Sequence, residues 1–130
     1  MEDELRAGLD DLEIADLVAA YLFGSVARDE GRADSDVDVA ILLASQPAKT
    51  LAHPSVSLAA ELEARLRRAV QIIVLNDAPP DLIHRVLRDG RLLVDSDPSL
   101  RIQFEVKARN EYLDLLPVLR RYRKLEGRPL

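Results

Sequence analysis

The chain of 130 residues has no cysteine and no tryptophan, and only two histidines. Without thiols there is no disulfide, no thiolate zinc site and no cysteine nucleophile. His53 precedes Pro54 in an expected loop and His84 falls in an expected helix, so a two-histidine metal site would require the fold to join distant segments. Aromatic residues make up 4% of the chain, too few to build a base-stacking surface by repetition. No apolar run approaches the ~18 to 20 residues of a membrane helix. The acidic start, Met1-Glu2-Asp3-Glu4, also lacks the cationic region of a secretion signal. These absences predict a soluble, cytoplasmic protein with no membrane role.

What the sequence does contain suits one core: 48% of its residues are hydrophobic, which predicts a single domain over residues 1–130. The formal charge of -5 hides a division, with 10 basic and 19 acidic groups in the first hundred residues and 8 basic and 4 acidic in the remainder. Arg120, Arg121, Arg123 and Lys124 form the basic run. Charge runs on helices usually form solvated faces, and no aromatics interleave here, so direct nucleic-acid binding is not expected.

Periodicity predicts alternating elements. Leu5, Leu9 and Leu12 recur at helical spacing within a first helix from about Glu2 to Ala15, and a strand follows over Leu17 to Phe23. A short helix is expected over Val26 to Glu30, a loop through Ser35, and a strand over Asp36 to Leu43. Leu58, Leu62, Leu66 and Ala69 mark a helix, and Val70 to Leu75 a strand apolar enough to be buried on both faces. Within it Gln71 stands out, because a buried amide must find partners. Pro79 and Pro80 suit the first turn of a helix that Gly90 ends, and a strand over Arg91 to Asp95 follows. Phe104, Ala108, Tyr112, Leu115 and Leu119 then trace the buried stripe of a long terminal helix, with Pro117 a candidate kink.

Two short segments carry the chemistry. Leu22-Phe23-Gly24-Ser25-Val26 turns a strand into a helix, and the free N–H groups at such a helix start favour a phosphate, with Gly24 allowing close approach and Ser25 adding a hydroxyl. Asp36 and Asp38 stand two residues apart, so on a strand both carboxylates project from one face. Adjacent hard anions call for a hard cation such as Mg2+. Each segment alone also fits a plainer role, Ser25 as a helix N-cap and the two aspartates as a solvated strand edge. Together, with ten residues between Ser25 and Asp36, they match Gly-Ser-x10-Asp-x-Asp, the signature of the DNA polymerase beta-like nucleotidyltransferase superfamily.

Further resemblance narrows the reading. Gly24-Ser25, Ala27-Arg28, Ser35 to Asp38, the Ile72 to Leu75 strand, Ala78-Pro79-Pro80, Arg85-Val86-Leu87, Gly90 and the Phe104 to Tyr112 helix resemble the minimal nucleotidyltransferase (MNT) antitoxins of HEPN/MNT toxin–antitoxin pairs. That resemblance implies an α/β (α+β) nucleotidyltransferase fold, with a mixed sheet of about four strands flanked by helices and a long C-terminal helix. It implies ATP as substrate with Mg2+, and transfer of AMP to a tyrosine of a cognate HEPN ribonuclease toxin that is also a direct binding partner. Gly24, Ser25 and Arg28 would contact the nucleotide, and Asp36 and Asp38 would be the catalytic metal ligands. Gln71 departs from the pattern, since related sequences commonly carry a third carboxylate there. Its amide leaves open an antitoxin that neutralises by binding alone. A nucleotidyltransferase for a small hydroxylated substrate, such as an antibiotic, is a further alternative.

Overall fold

In a computed structural model, residues 1–24, 35–45 and 54–125 are described. The expected short helix over Val26 to Glu30, together with Ser25, Arg28 and His53, lies outside them. Among the described residues the elements are α1 (Glu2–Asp11), β1 (Leu17–Phe23), β2 (Val37–Leu43), α2 (Pro54–Leu66), β3 (Val70–Val74), a 3-10 turn (Leu75–Asp77), α3 (Pro80–Asp89), β4 (Arg91–Asp95) and α4 (Pro98–Leu125).

The strands form one mixed sheet in the order β3-β2-β1-β4. β1 runs antiparallel to both β2 and β4, whereas β2 and β3 are parallel and are joined through α2. Alternation along the strands sends side chains to two faces. On one face, Leu22, Val39 and Ile41 pack with Leu5 and Leu9 of α1 and Leu58 and Leu62 of α2. On the other, Tyr21, Ala40 and Leu42 pack with Ile83 and Val86 of α3 and Ala108 of α4. Helices therefore cover both faces of the sheet. Phe104, Tyr112, Leu115 and Leu119 are all at least half-buried, as the terminal stripe predicts, and α4 continues past Pro117.

Three boundaries differ from expectation. α1 stops at Asp11 rather than Ala15, because Glu13 and Asp16 take left-handed φ values of 45° and 61° that no helix accommodates. Leu12 still packs against the core, which explains its place in the periodic pattern. β2 begins at Val37, leaving Asp36 just outside the ladder. α2 ends at Leu66, where Arg67 at φ 55° turns the chain, so Ala69 is an exposed linker residue rather than part of the helix.

β3 also departs from expectation. As the sheet's edge it is not buried on both faces, and Gln71 is exposed. No buried amide has to be satisfied there. The strand ends at Val74, and Asn76 continues its role by a side-chain route: its amide donates to the Leu43 carbonyl at 2.8 Å and accepts from the Leu43 N–H at 3.0 Å.

Candidate functional site

The candidate site forms where β1 ends and β2 and β3 begin. Phe23 pairs with Asp38 across the antiparallel β1–β2 ladder, and Asp38 pairs with Gln71 across the parallel β2–β3 ladder. In-register neighbours project from the same face, so Gln71 stands beside Asp38 on the face that carries Ala40 and Leu42. That is the side covered by α3 and α4.

Gly24 closes the site from β1. Its φ of 78° lies in the left-handed region, and a Cβ built on it would overlap the Asp38 carboxylate. Both the turn and the close approach require glycine here. This contact places Gly24 against Asp38.

Asp36 is exposed and Asp38 half-buried. Burial pushes the Asp38 carboxyl above its ordinary value, and the negative charge of Asp36 adds to the effect. Two hard oxygen anions this close form a donor set suited to Mg2+, which would relieve their repulsion. Gln71 adds a neutral amide beside them. The donor types present therefore fit a divalent hard cation with two charged ligands.

The approach to this pair is held from behind. Arg68 donates through Nε and Nη2 to the Ser35 carbonyl, at 3.2 and 2.7 Å. The Val37 N–H donates to the Ala69 carbonyl at 2.9 Å, and the Val70 N–H donates to Glu63 of α2 at 3.1 Å. These contacts fix the starts of β2 and β3, and with them the register of Asp38 and Gln71. Sequence reasoning had no signal for Arg68, whose role depends on a carbonyl 33 residues away.

Asp77 lies away from this site. It sits in the turn beyond Val74, whereas Asp38 faces the opposite end of β3 at Gln71. Among the described residues, no group of three His, Cys, Asp or Glu side chains is assembled to hold a metal. The His84 ring stacks on Tyr112 at 3.8 Å between centroids and 4° between planes. Among the described residues, no helix is long and apolar enough to cross a membrane.

Residues 12–99 match the family model described as polymerase beta, nucleotidyltransferase. No curated protein matches the chain by sequence. Solved structures do. A chain of a toxin–antitoxin crystal structure with AMP-PNP is 27% identical, with a TM-score of 0.75 over 95% of this chain and 93% of that one. A chain of a mutant MntA–HpeT toxin–antitoxin crystal structure is 28% identical, with a TM-score of 0.73 over 96% and 93%. A third comes from a complex of a tri-AMPylated Shewanella oneidensis HEPN toxin with its MNT antitoxin; it is 25% identical, with a TM-score of 0.71 over 96% and 94%.

Proposed function

Because this chain belongs to the polymerase beta nucleotidyltransferase family, we propose that it is an MNT-type antitoxin that binds a cognate HEPN toxin and transfers AMP from ATP to a toxin tyrosine. The observation that carries this reading is the close approach of Gly24 to the Asp38 carboxylate, which supports a phosphate-binding turn beside the carboxylates. The three toxin–antitoxin neighbours, one with AMP-PNP and one with a tri-AMPylated toxin, support the partner and the transferred group.

In this reading the toxin hydroxyl oxygen bonds to the α-phosphorus of ATP while the bond to the β-phosphate oxygen breaks, releasing pyrophosphate. Asp36 and Asp38 would hold Mg2+, which when bound would neutralise charge developing on the phosphates. Gly24 lets the backbone approach the triphosphate, and Ser25 and Arg28 are proposed to contact it. The remaining task is orientation, supplied by the fixed starts of β2 and β3.

The test is direct. Purified toxin incubated with this protein, ATP and Mg2+ should gain mass in AMP units, and the Asp36→Asn/Asp38→Asn variant should abolish that gain. Full retained transfer in that variant would sink the site assignment. A second reading is favoured specifically by Gln71, whose amide cannot accept the hydroxyl proton. It is neutralisation by binding alone, which the same experiment would register as a stable complex of unchanged toxin mass.

A further inference from the structure

Resting on that adenylyl-transfer reading, we propose that a cleft between α3 and α4 is an adenylate-binding site separate from the Asp36–Asp38 pair. The cleft has a volume of about 330 Å³ and is lined by His84, Leu87, Arg88, Arg109, Tyr112 and Leu113. A second cavity of about 370 Å³ shares His84, Arg88 and Tyr112 with it and adds Asp81 and Arg85.

Its chemistry matches a nucleoside monophosphate. The stacked His84 and Tyr112 rings, flanked by Leu87 and Leu113, offer planar and apolar surface to a base. Arg88 and Arg109 line the cleft, and Arg85 lines the adjoining cavity. Arg88 is held by Asp89 through two bonds of 2.9 Å, whereas Arg85 and Arg109 are exposed and make no ion pair among the described residues. Among the described residues, Asp81 is the one carboxylate lining either cavity. Planar rings beside uncommitted arginines suit a base joined to a phosphate.

Its position gives the site a use. Leu87 packs in the same cluster as Phe23, the strand partner of Asp38, and Gly90, just past α3, approaches the Leu22 carbonyl. The cleft thus shares both a face and an end of the sheet with the carboxylates. Repeated transfer, as the tri-AMPylated toxin of the Shewanella complex carries, requires an adenylate already attached to the acceptor to clear the reaction centre and stay close. Each round forms one bond from an acceptor oxygen to the α-phosphorus of ATP, breaks the bond to pyrophosphate and releases the hydroxyl proton to solvent. The adenylate in the cleft is the product already attached to the acceptor.

AMP titrated into the full chain in EDTA, followed by NMR, tests the site without catalysis. Saturable binding that shifts His84 and Tyr112 signals is expected in the wild type and in Asp36→Asn/Asp38→Asn, with affinity at least ~10-fold weaker in Arg85→Gln/Arg109→Gln. Absent binding overturns the proposal, as does binding lost with the aspartates or indifferent to the arginines. With toxin and ATP, the arginine variant should stall after the first AMP unit, as loss of the attached product's site requires, whereas a raised KM for ATP on that first unit makes the cleft part of the donor site and overturns the proposal. An arginine variant that weakens toxin binding while AMP affinity is unchanged makes the cleft a protein dock and overturns the proposal. Wild-type AMP binding in the cleft with no mass gain on the toxin would defeat the transfer reading and leave the site standing.

Discussion

Gln71 stands in register with Asp38, and for the proposed adenylyl transfer its amide cannot accept the hydroxyl proton, which makes the position testable. Gln71→Asp should raise adenylyl transfer by ~100-fold or more, the usual contribution of a placed general base, measured as the rate of toxin mass gain. Without metal the same variant should be less stable, because a third carboxylate crowds Asp38, and Mg2+ should restore it by binding the folded state. An unchanged rate with no Mg2+-sensitive stability would remove Gln71 from the reaction centre. Asp38 supplies a pH test in metal-free buffer. Since its folded pKa is raised, the folded protein binds the proton more tightly, and wild-type stability should fall as pH rises from the unfolded value near ~3.9 to the folded one. Asp38→Asn should lack that fall and be the more stable protein at neutral pH, with the advantage shrinking below the window in urea titrations. The closeness of Asp36 to Asp38 was legible from their spacing, although Asp36 lies just outside the strand that was expected to carry both. That Gln71 would be exposed was not, since edge position is decided by which strands pair, and no local pattern carries it.

At the level of elements, the turn after β1 depends on a glycine and the end of β3 on an asparagine. Gly24→Ala forces a Cβ into both a left-handed backbone and the Asp38 carboxylate, so it should cost ~1 to 2 kcal/mol in urea unfolding and reduce transfer by more than tenfold. Asn76→Ala leaves the Leu43 N–H and carbonyl without their side-chain partner, and a loss of ~2 kcal/mol is expected. Asn76→Asp should recover part of it, because a carboxylate still accepts from the N–H. All four strands and the four longer helices were readable from periodicity and proline placement. The misread ends have a common cause: Leu12 and Ala69 fit a helical stripe while Glu13 and Arg67 turn the backbone left-handed, and hydropathy carries no record of φ.

Across the whole molecule, α4 is fastened by a polar chain that the sequence did not announce. The Tyr21 hydroxyl donates to Glu105 at 2.8 Å, and Arg101 bonds both Glu105, at 3.1 Å, and Asp95, at 2.9 Å. Burial, reinforced by the Glu105 hydrogen bond and charge, raises the Tyr21 pKa, so the phenol stays protonated as donor through neutral pH. Tyr21→Phe should lower stability by ~1 kcal/mol, read from urea midpoints at constant m-value. The same bond joins residues 84 apart, and Arg6 reaches the Leu93 carbonyl across 87. Synthesis order then matters. β1, which occupies the middle of the sheet, leaves the ribosome before its β4 neighbour, and its Tyr21 leaves 84 residues ahead of the Glu105 it bonds. Such separation slows closure of the native topology, so nascent chains arrested before residue 105 should remain open to proteases that spare the released protein.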